Sequence, residues 1–254
     1  MSTPNEQSKQ YGQQPFYYFN GLLISNDGTT PNTKLDIAVG TCLDSTATFQ
    51  LSLSSPVVID ATTNGLNGLD TGSLAASKVY SVYLVADPVS QQATGAMISL
   101  AATPLLPFGY SAFALIGYVV TDASSHFLKG YWTDNDSAGR KFLYDAPQAT
   151  AVTAGNATSY TAVDLSALVP NLSNFPVYIN YAFTPGAASR TLKMQGAAST
   201  GDQIIVTGQV TSVVVSGQSP VWAQTASSKP EINYVVSNSG DAVAINVAGY
   251  EFNL

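Results

Sequence analysis

Val79-Tyr80-Ser81-Val82-Tyr83-Leu84-Val85 is a run in which β-branched and aromatic residues alternate, and its reading decides the fold. Successive side chains of a strand point to opposite faces, so a period of two predicts a strand with a buried face. Leu35-Asp36-Ile37-Ala38-Val39 and Thr46-Ala47-Thr48-Phe49-Gln50-Leu51-Ser52-Leu53 follow the same pattern upstream. Downstream, further strands are expected at Ala112 to Val120 and at His126 to Trp132. Asn26-Asp27-Gly28, Asn64-Gly65 and Asn67-Gly68 separate these runs with residues that tolerate positive φ in tight turns.

Between Thr133 and Pro147 the chain turns polar and loses its alternation, which places an expected domain boundary near Pro147. The pattern then restarts. Ser159 to Leu165, Val177 to Phe183, Gln203 to Val206, Gln209 to Val215, Ile232 to Val236 and Val243 to Val247 read as further strands. Pro170, Pro176, Pro185, Pro220 and Pro230 fall between these runs, where a missing amide donor does least harm. The expected fold is all-β: two consecutive antiparallel β-sandwich domains, jelly-roll-like, at 21–147 and 148–254, preceded by an extended N-terminal arm at 1–20.

Composition supports that class. Of the 254 residues 45% are hydrophobic and only 10% charged, against about 25% charged in an ordinary soluble domain. Long helices in water need charged outer faces that nine basic and sixteen acidic residues cannot furnish. A net charge of −7 with no basic stripe argues against nucleic acid as a partner. Cys42 is the only cysteine, so no intrachain disulfide or cysteine-based zinc site is expected, and a reducing compartment suits the chain. Met1 to Gln10 is polar rather than signal-like, and the longest apolar stretch, Ala112 to Val120, is too short to span a bilayer as a helix. No membrane association is expected. Pro15-Phe16-Tyr17-Tyr18-Phe19 clusters aromatic residues at the end of a Gln- and Ser-rich segment. It reads either as a first core strand or as a partner-binding arm that orders on assembly.

The stretch Thr63 to Tyr83, TNGLNGLDTGSLAASKVYSVY, resembles a recurring phrase in tail-fibre-like and other virion structural proteins of tailed bacteriophages and prophages. The similarity spans roughly residues 35–132 and includes Leu115 to Leu128. A looser similarity to a phage pattern, with Ile232-Asn233-Tyr234 preceding a closing Gly249-Tyr250, covers roughly 150–254. Neither brings catalytic residues. The resemblance implies a virion protein assembled in the host cytoplasm: a capsid decoration or cement protein, a tail-fibre module, or another tail accessory. It also implies partners among other capsid or tail proteins and a homotrimer. The chain lacks the coiled-coil heptads and fibrous repeats of a long fibre.

Each chemical motif lacks the companions its chemistry needs. Asp70-Thr71-Gly72-Ser73 matches an aspartic-protease loop, but no second copy accompanies it and its lead-in is rich in turn residues. Asp134 to Asp145 partly mimics a calcium loop, yet Ala138 stands at a ligand position. His126 is the sole histidine, so three could gather only on a trimer axis. Cys42 has no neighbouring basic residue in sequence to activate it. No phosphate-binding glycine loop occurs. The expectation is a protein that is not an enzyme, needs no metal or cofactor, and acts through protein–protein contacts. The alternatives are a receptor- or carbohydrate-binding module, with Trp132 and Trp222 available to stack on a host glycan, and a cryptic hydrolase.

Overall fold

The computed structural model describes residues 19–87, 89, 93–135, 139–226 and 228–253. Among them the chain is all-β, with eighteen strands and no helix. The arm residues Pro15, Phe16, Tyr17 and Tyr18 lie outside the described residues. Phe19 does not: it opens β1 (Phe19–Gly21), which pairs antiparallel with β4 (Gly40–Leu43), and β4 pairs in turn with β5 (Gln50–Leu53).

The first half is a sandwich. One wall is β2 (Ile24–Asn26), β3 (Lys34–Ile37), β6 (Val57–Asp60) and β10 (Gly130–Asn135), in the order β10-β2-β3-β6. The other is β7 (Val79–Ala86), flanked by β8 (Ala93–Ser99) and β9 (Ala112–Val120). The walls approach closely where β9 carries Gly117. A Cβ there would lie 2.7 Å from Ile24 Cδ1 and 3.2 Å from the Trp132 ring, so the glycine is a matter of space. The run Val79–Val85 is β7, and every residue from Val82 to Ala86 is buried. Its second face is covered too: Tyr83, Val85 and Met97 form a small separate core under Leu66, Leu106 and Phe113.

Thr46 to Phe49, expected as strand, instead forms a turn, and β5 begins only at Gln50. The reason is Asp44. Its carboxylate accepts the amides of Thr48 and Phe49 at 2.8 Å each and the Thr46 hydroxyl at 2.6 Å, which offers this backbone an alternative to a ladder.

The second half joins the first through β11 (Gly139–Gly155) and the C-terminal strand β18 (Ala242–Asn253), which pair from Gly139↔Asn253 to Gly155↔Val243. Pro147, the expected boundary, therefore lies inside β11 and not in a linker. Proline has no amide to donate, and the register breaks beside it, between Leu143 and Gln148. β13 (Phe175–Thr184) pairs with β18, and β16 (Val215–Ala226) pairs with β13. The facing layer is β12 (Thr161–Asp164), β17 (Lys229–Val236), β14 (Arg190–Gly196) and β15 (Ile204–Gly208). β16 connects the layers, since its last residues leave β13 and pair with β17. Gln209 to Val214, expected as strand, lies between β15 and β16.

One apolar core runs through both halves, from Leu22 to Phe252. Trp132 sits within it, 4% exposed, with the rings of Phe142, Tyr250 and Phe252 at 5.1–5.9 Å from its own. The contacts with Tyr250 and Phe252 are edge-to-face, a geometry that adds about 0.5–1.5 kcal/mol per pair beyond burial. Arg140 is 3% exposed in the same region. Its guanidinium donates to Leu22 O at 2.9 Å, to Ile116 O at 2.8 Å and to Gly21 O, and it lies 4.9 Å from the centre of the Phe19 ring. A single side chain on β11 thus ties β9 to the chain leaving β1.

Candidate functional site

Two surface features stand out against this frame. The first is the loop between β8 and β9. Leu100, Leu105 and Phe108 are 55%, 65% and 105% exposed, an apolar display that is rarely left to water on a soluble chain. The loop is nevertheless held firmly. Asp70 Oδ2 accepts the Ser99 hydroxyl at 2.7 Å and the Leu105 amide at 3.2 Å, and the Tyr83 hydroxyl donates to Ala102 O at 2.7 Å. A turn closes at Pro107 and Tyr110, with Gly109 at φ +90°.

The second feature is a cleft beside residues 170–176, where the two halves meet. Three cavities of about 530, 410 and 350 Å³ adjoin there. The largest and the smallest share Leu172 and Phe252; the largest and the middle one share Tyr83, Ala102, Leu115 and Tyr118. Aromatic rings wall it, with Tyr83 and Phe113 edge-to-face at 5.7 Å and Tyr118 and Phe252 at 5.1 Å. Burial pushes the Tyr118 hydroxyl up to about 12.

The smallest cavity is lined by Trp222 and Glu251, from the outer face of the β16-β13-β18-β11 sheet, together with the buried Phe175 and Phe252. Register sets the neighbours: Trp222 opposes Pro176, Glu251 opposes Lys141, and Tyr178 opposes both Pro220 and Gly249. Trp222 is 46% exposed, between buried Val221 and Ala223. Beside it the Tyr178 hydroxyl donates to Glu251 Oε2 at 2.9 Å, and Lys141 Nζ lies 3.8 Å from the Tyr178 ring centre. Burial and then the Glu251 carboxylate push the Tyr178 hydroxyl up to about 12.

The motifs singled out in the sequence land elsewhere. Asp70 anchors the β8–β9 loop. His126 sits in a turn, its ring nitrogen 3.6 Å from an Asp122 carboxylate that also accepts the His126 and Ser124 amides. Asp136, Ser137 and Ala138 lie outside the described residues. Cys42 is buried, which pushes its thiol up to about 12 despite the opposing influence of Arg140. Among the described residues no three His, Cys, Asp or Glu side chains group as a metal site would need. The two tryptophans separate: Trp132 is core, and only Trp222 faces outward. Sequence reading did not single out Tyr178, Lys141 or Glu251. A signal existed for Glu251, which stands between the apolar Tyr250 and Phe252 and so occupies the opposite face.

No family model matches the chain, and no curated protein matches it at a significant level. Among solved structures, a carbohydrate-binding module of Cellvibrio mixtus lichenase 5A in complex with cellotriose is similar at 13% identity, over 47% of this chain and 85% of that one, with a TM-score of 0.25. A Bacillus thuringiensis Cry1Da tryptic core variant is similar at 10% identity, over 94% of this chain and 52% of that one, with a TM-score of 0.22. Scores this low carry no conclusion about this chain.

Proposed function

We propose that the chain is a structural component of a tailed-bacteriophage virion, a capsid decoration or tail accessory protein that works by protein–protein contact and not by catalysis. The observation that carries this reading is the β8–β9 loop, which exposes Leu105 and Phe108 on a backbone tied down by Asp70 and Tyr83. Its two anchors, Asp70 and Tyr83, both belong to the stretch Thr63 to Tyr83 that resembles phage virion proteins. A loop backbone already held in place suits an interface, because less backbone entropy remains to be lost when a neighbour covers it. A surface of hydroxyls and amides with few charges also costs less to desolvate than one rich in lysine and glutamate. On this reading the partners are other capsid or tail proteins, the assembly is a homotrimer, and the working location is the virion.

The test is a double variant, Leu105→Ser with Phe108→Ser, introduced into the phage that encodes the chain. Both side chains are exposed, so the melting temperature should hold. The expected result is a fall in copies per purified particle, counted by quantitative mass spectrometry. Wild-type copy number with this variant, or absence of the wild-type protein from particles, overturns the reading.

A further inference from the structure

We infer that the outer face of the β16-β13-β18-β11 sheet, at Trp222, binds a neutral saccharide. The inference does not depend on the virion reading. It starts from the two tryptophans: one fills the core, while Trp222 lies with nearly half its surface in water at the edge of a cavity of about 350 Å³. That volume falls within the range of about 300–1,000 Å³ that small-ligand clefts occupy. An exposed indole supplies a large, rigid apolar face, the counterpart of the C–H face of a pyranose ring, and tryptophan is among the side chains that dominate binding energies.

Polar groups suited to sugar hydroxyls surround it. Ser173 and Asn174 line the same cavity on the turn before β13, with Glu251 on the β18 side. An amide both donates and accepts, and a carboxylate accepts several hydrogen bonds at once. Glu251 is also held in place by the Tyr178 hydroxyl at 2.9 Å, so it need not be ordered when ligand arrives.

Charge selects the ligand class. A phosphorylated or sulfated ligand would meet the Glu251 carboxylate on a chain of net charge −7. The nearby cation, Lys141, packs on the Tyr178 ring and stands opposite Glu251 in the strand register, so the site offers no unbalanced positive charge. A flat aromatic ligand would find an indole on one side and open sheet on the other. A polyhydroxylated neutral ring satisfies the indole and the polar rim together.

The site can be read by fluorescence, because there are only two tryptophans and one is buried. The wild-type chain is titrated with neutral hexasaccharides of glucose, galactose and N-acetylglucosamine, and with heparin as the anionic control. Acrylamide quenching is followed throughout. The expected result is that at least one neutral hexasaccharide protects Trp222 from acrylamide while heparin does not. Trp222→Ala should weaken that binding roughly tenfold or more by calorimetry, about 1.4 kcal/mol, and Glu251→Gln should weaken it less. The emission of Trp132 reports that each variant remains folded. Two results overturn the inference: no protection by any neutral sugar at millimolar concentration, or a Trp222→Ala variant that binds as well as wild type.

Discussion

Arg140 carries a charge where an apolar side chain of similar length would fit, so Arg140→Met isolates what the guanidinium contributes. The arginine is 3% exposed, and its guanidinium donates to three backbone carbonyls, those of Gly21, Leu22 and Ile116. Burying a guanidinium costs several kcal/mol, and methionine recovers that cost. The carbonyls cannot follow, because strand pairing fixes two of the segments that bear them, Gly21 in β1 and Ile116 in β9. Left without a donor, each carbonyl costs about 1–3 kcal/mol. The balance is a net destabilisation of about 2–4 kcal/mol. For a chain of this size that corresponds to a fall in melting temperature of roughly 5–15 °C, measured by calorimetry alongside the near-ultraviolet signal of the Trp132 cluster. Arg140→Lys keeps the charge but loses the planar fork. It should fall at least as far, since an ammonium that cannot reach all three carbonyls still bears the burial cost. An Arg140→Met variant that melts at or above wild type refutes the reasoning: the carbonyls would then not need the guanidinium, and its burial would be a net burden.

Two further outcomes follow from the structure. Asp60 is held at about 2 by its Thr62 and Lys34 partners, and Asp164 at about 2 because Lys229 and Ser166 outweigh the effect of its burial. An unfolded aspartate titrates near 3.9, so both carboxyls bind fewer protons folded than unfolded. Their stabilisation is complete above about pH 4 and is lost as pH falls through about 2. Both are partly exposed, so each effect is modest; urea midpoints should drop across that window, and a double Asp60→Asn, Asp164→Asn variant that drops as steeply contradicts the assignment. Gly249→Ala addresses the joint between the halves, since its Cβ would press on the Phe142 carbonyl and the Leu143 backbone. A loss of at least about 2 kcal/mol is expected, with faster hydrogen exchange along β11 and β18, and an unchanged variant would disprove that pairing.

Much of the fold was legible because it rests on short-range physics. The run Ala112 to Val120 is β9 residue for residue, and Val79 to Val85 differs from β7 by one residue. The Asn-Gly turns behave as expected, though at Asn67-Gly68 it is the asparagine that takes positive φ, +59°. The failures have separate local causes. β11 went unseen because its register against β18 shifts four times between Leu143 and Gly155, and a strand with that many irregularities has no period of two to detect. Thr46 to Phe49 alternates in sequence, but a carboxylate at Asp44 captures its amides first.

The face of a strand is written in its sequence, but its neighbours on that face are not. Val221-Trp222-Ala223 and Tyr250-Glu251-Phe252 each place one residue opposite two apolar ones, which is enough to set Trp222 and Glu251 outward. That they border a single cavity depends on β13 lying between β16 and β18. Tyr178, 73 residues from Glu251, reaches its carboxylate only through that order. The same dependence separates the tryptophans. Trp132 pairs with Phe142 across a hairpin whose inward face also meets Tyr250 and Phe252 from β18, and those rings enclose it. Trp222 pairs with Pro176 on the opposite face from buried Val221 and Ala223, and 46% of its surface stays exposed. Two identical side chains in similar strands thus acquire different roles from which strand lies alongside, and a shift of one residue in the β13–β16 register would exchange indole for core and remove the site.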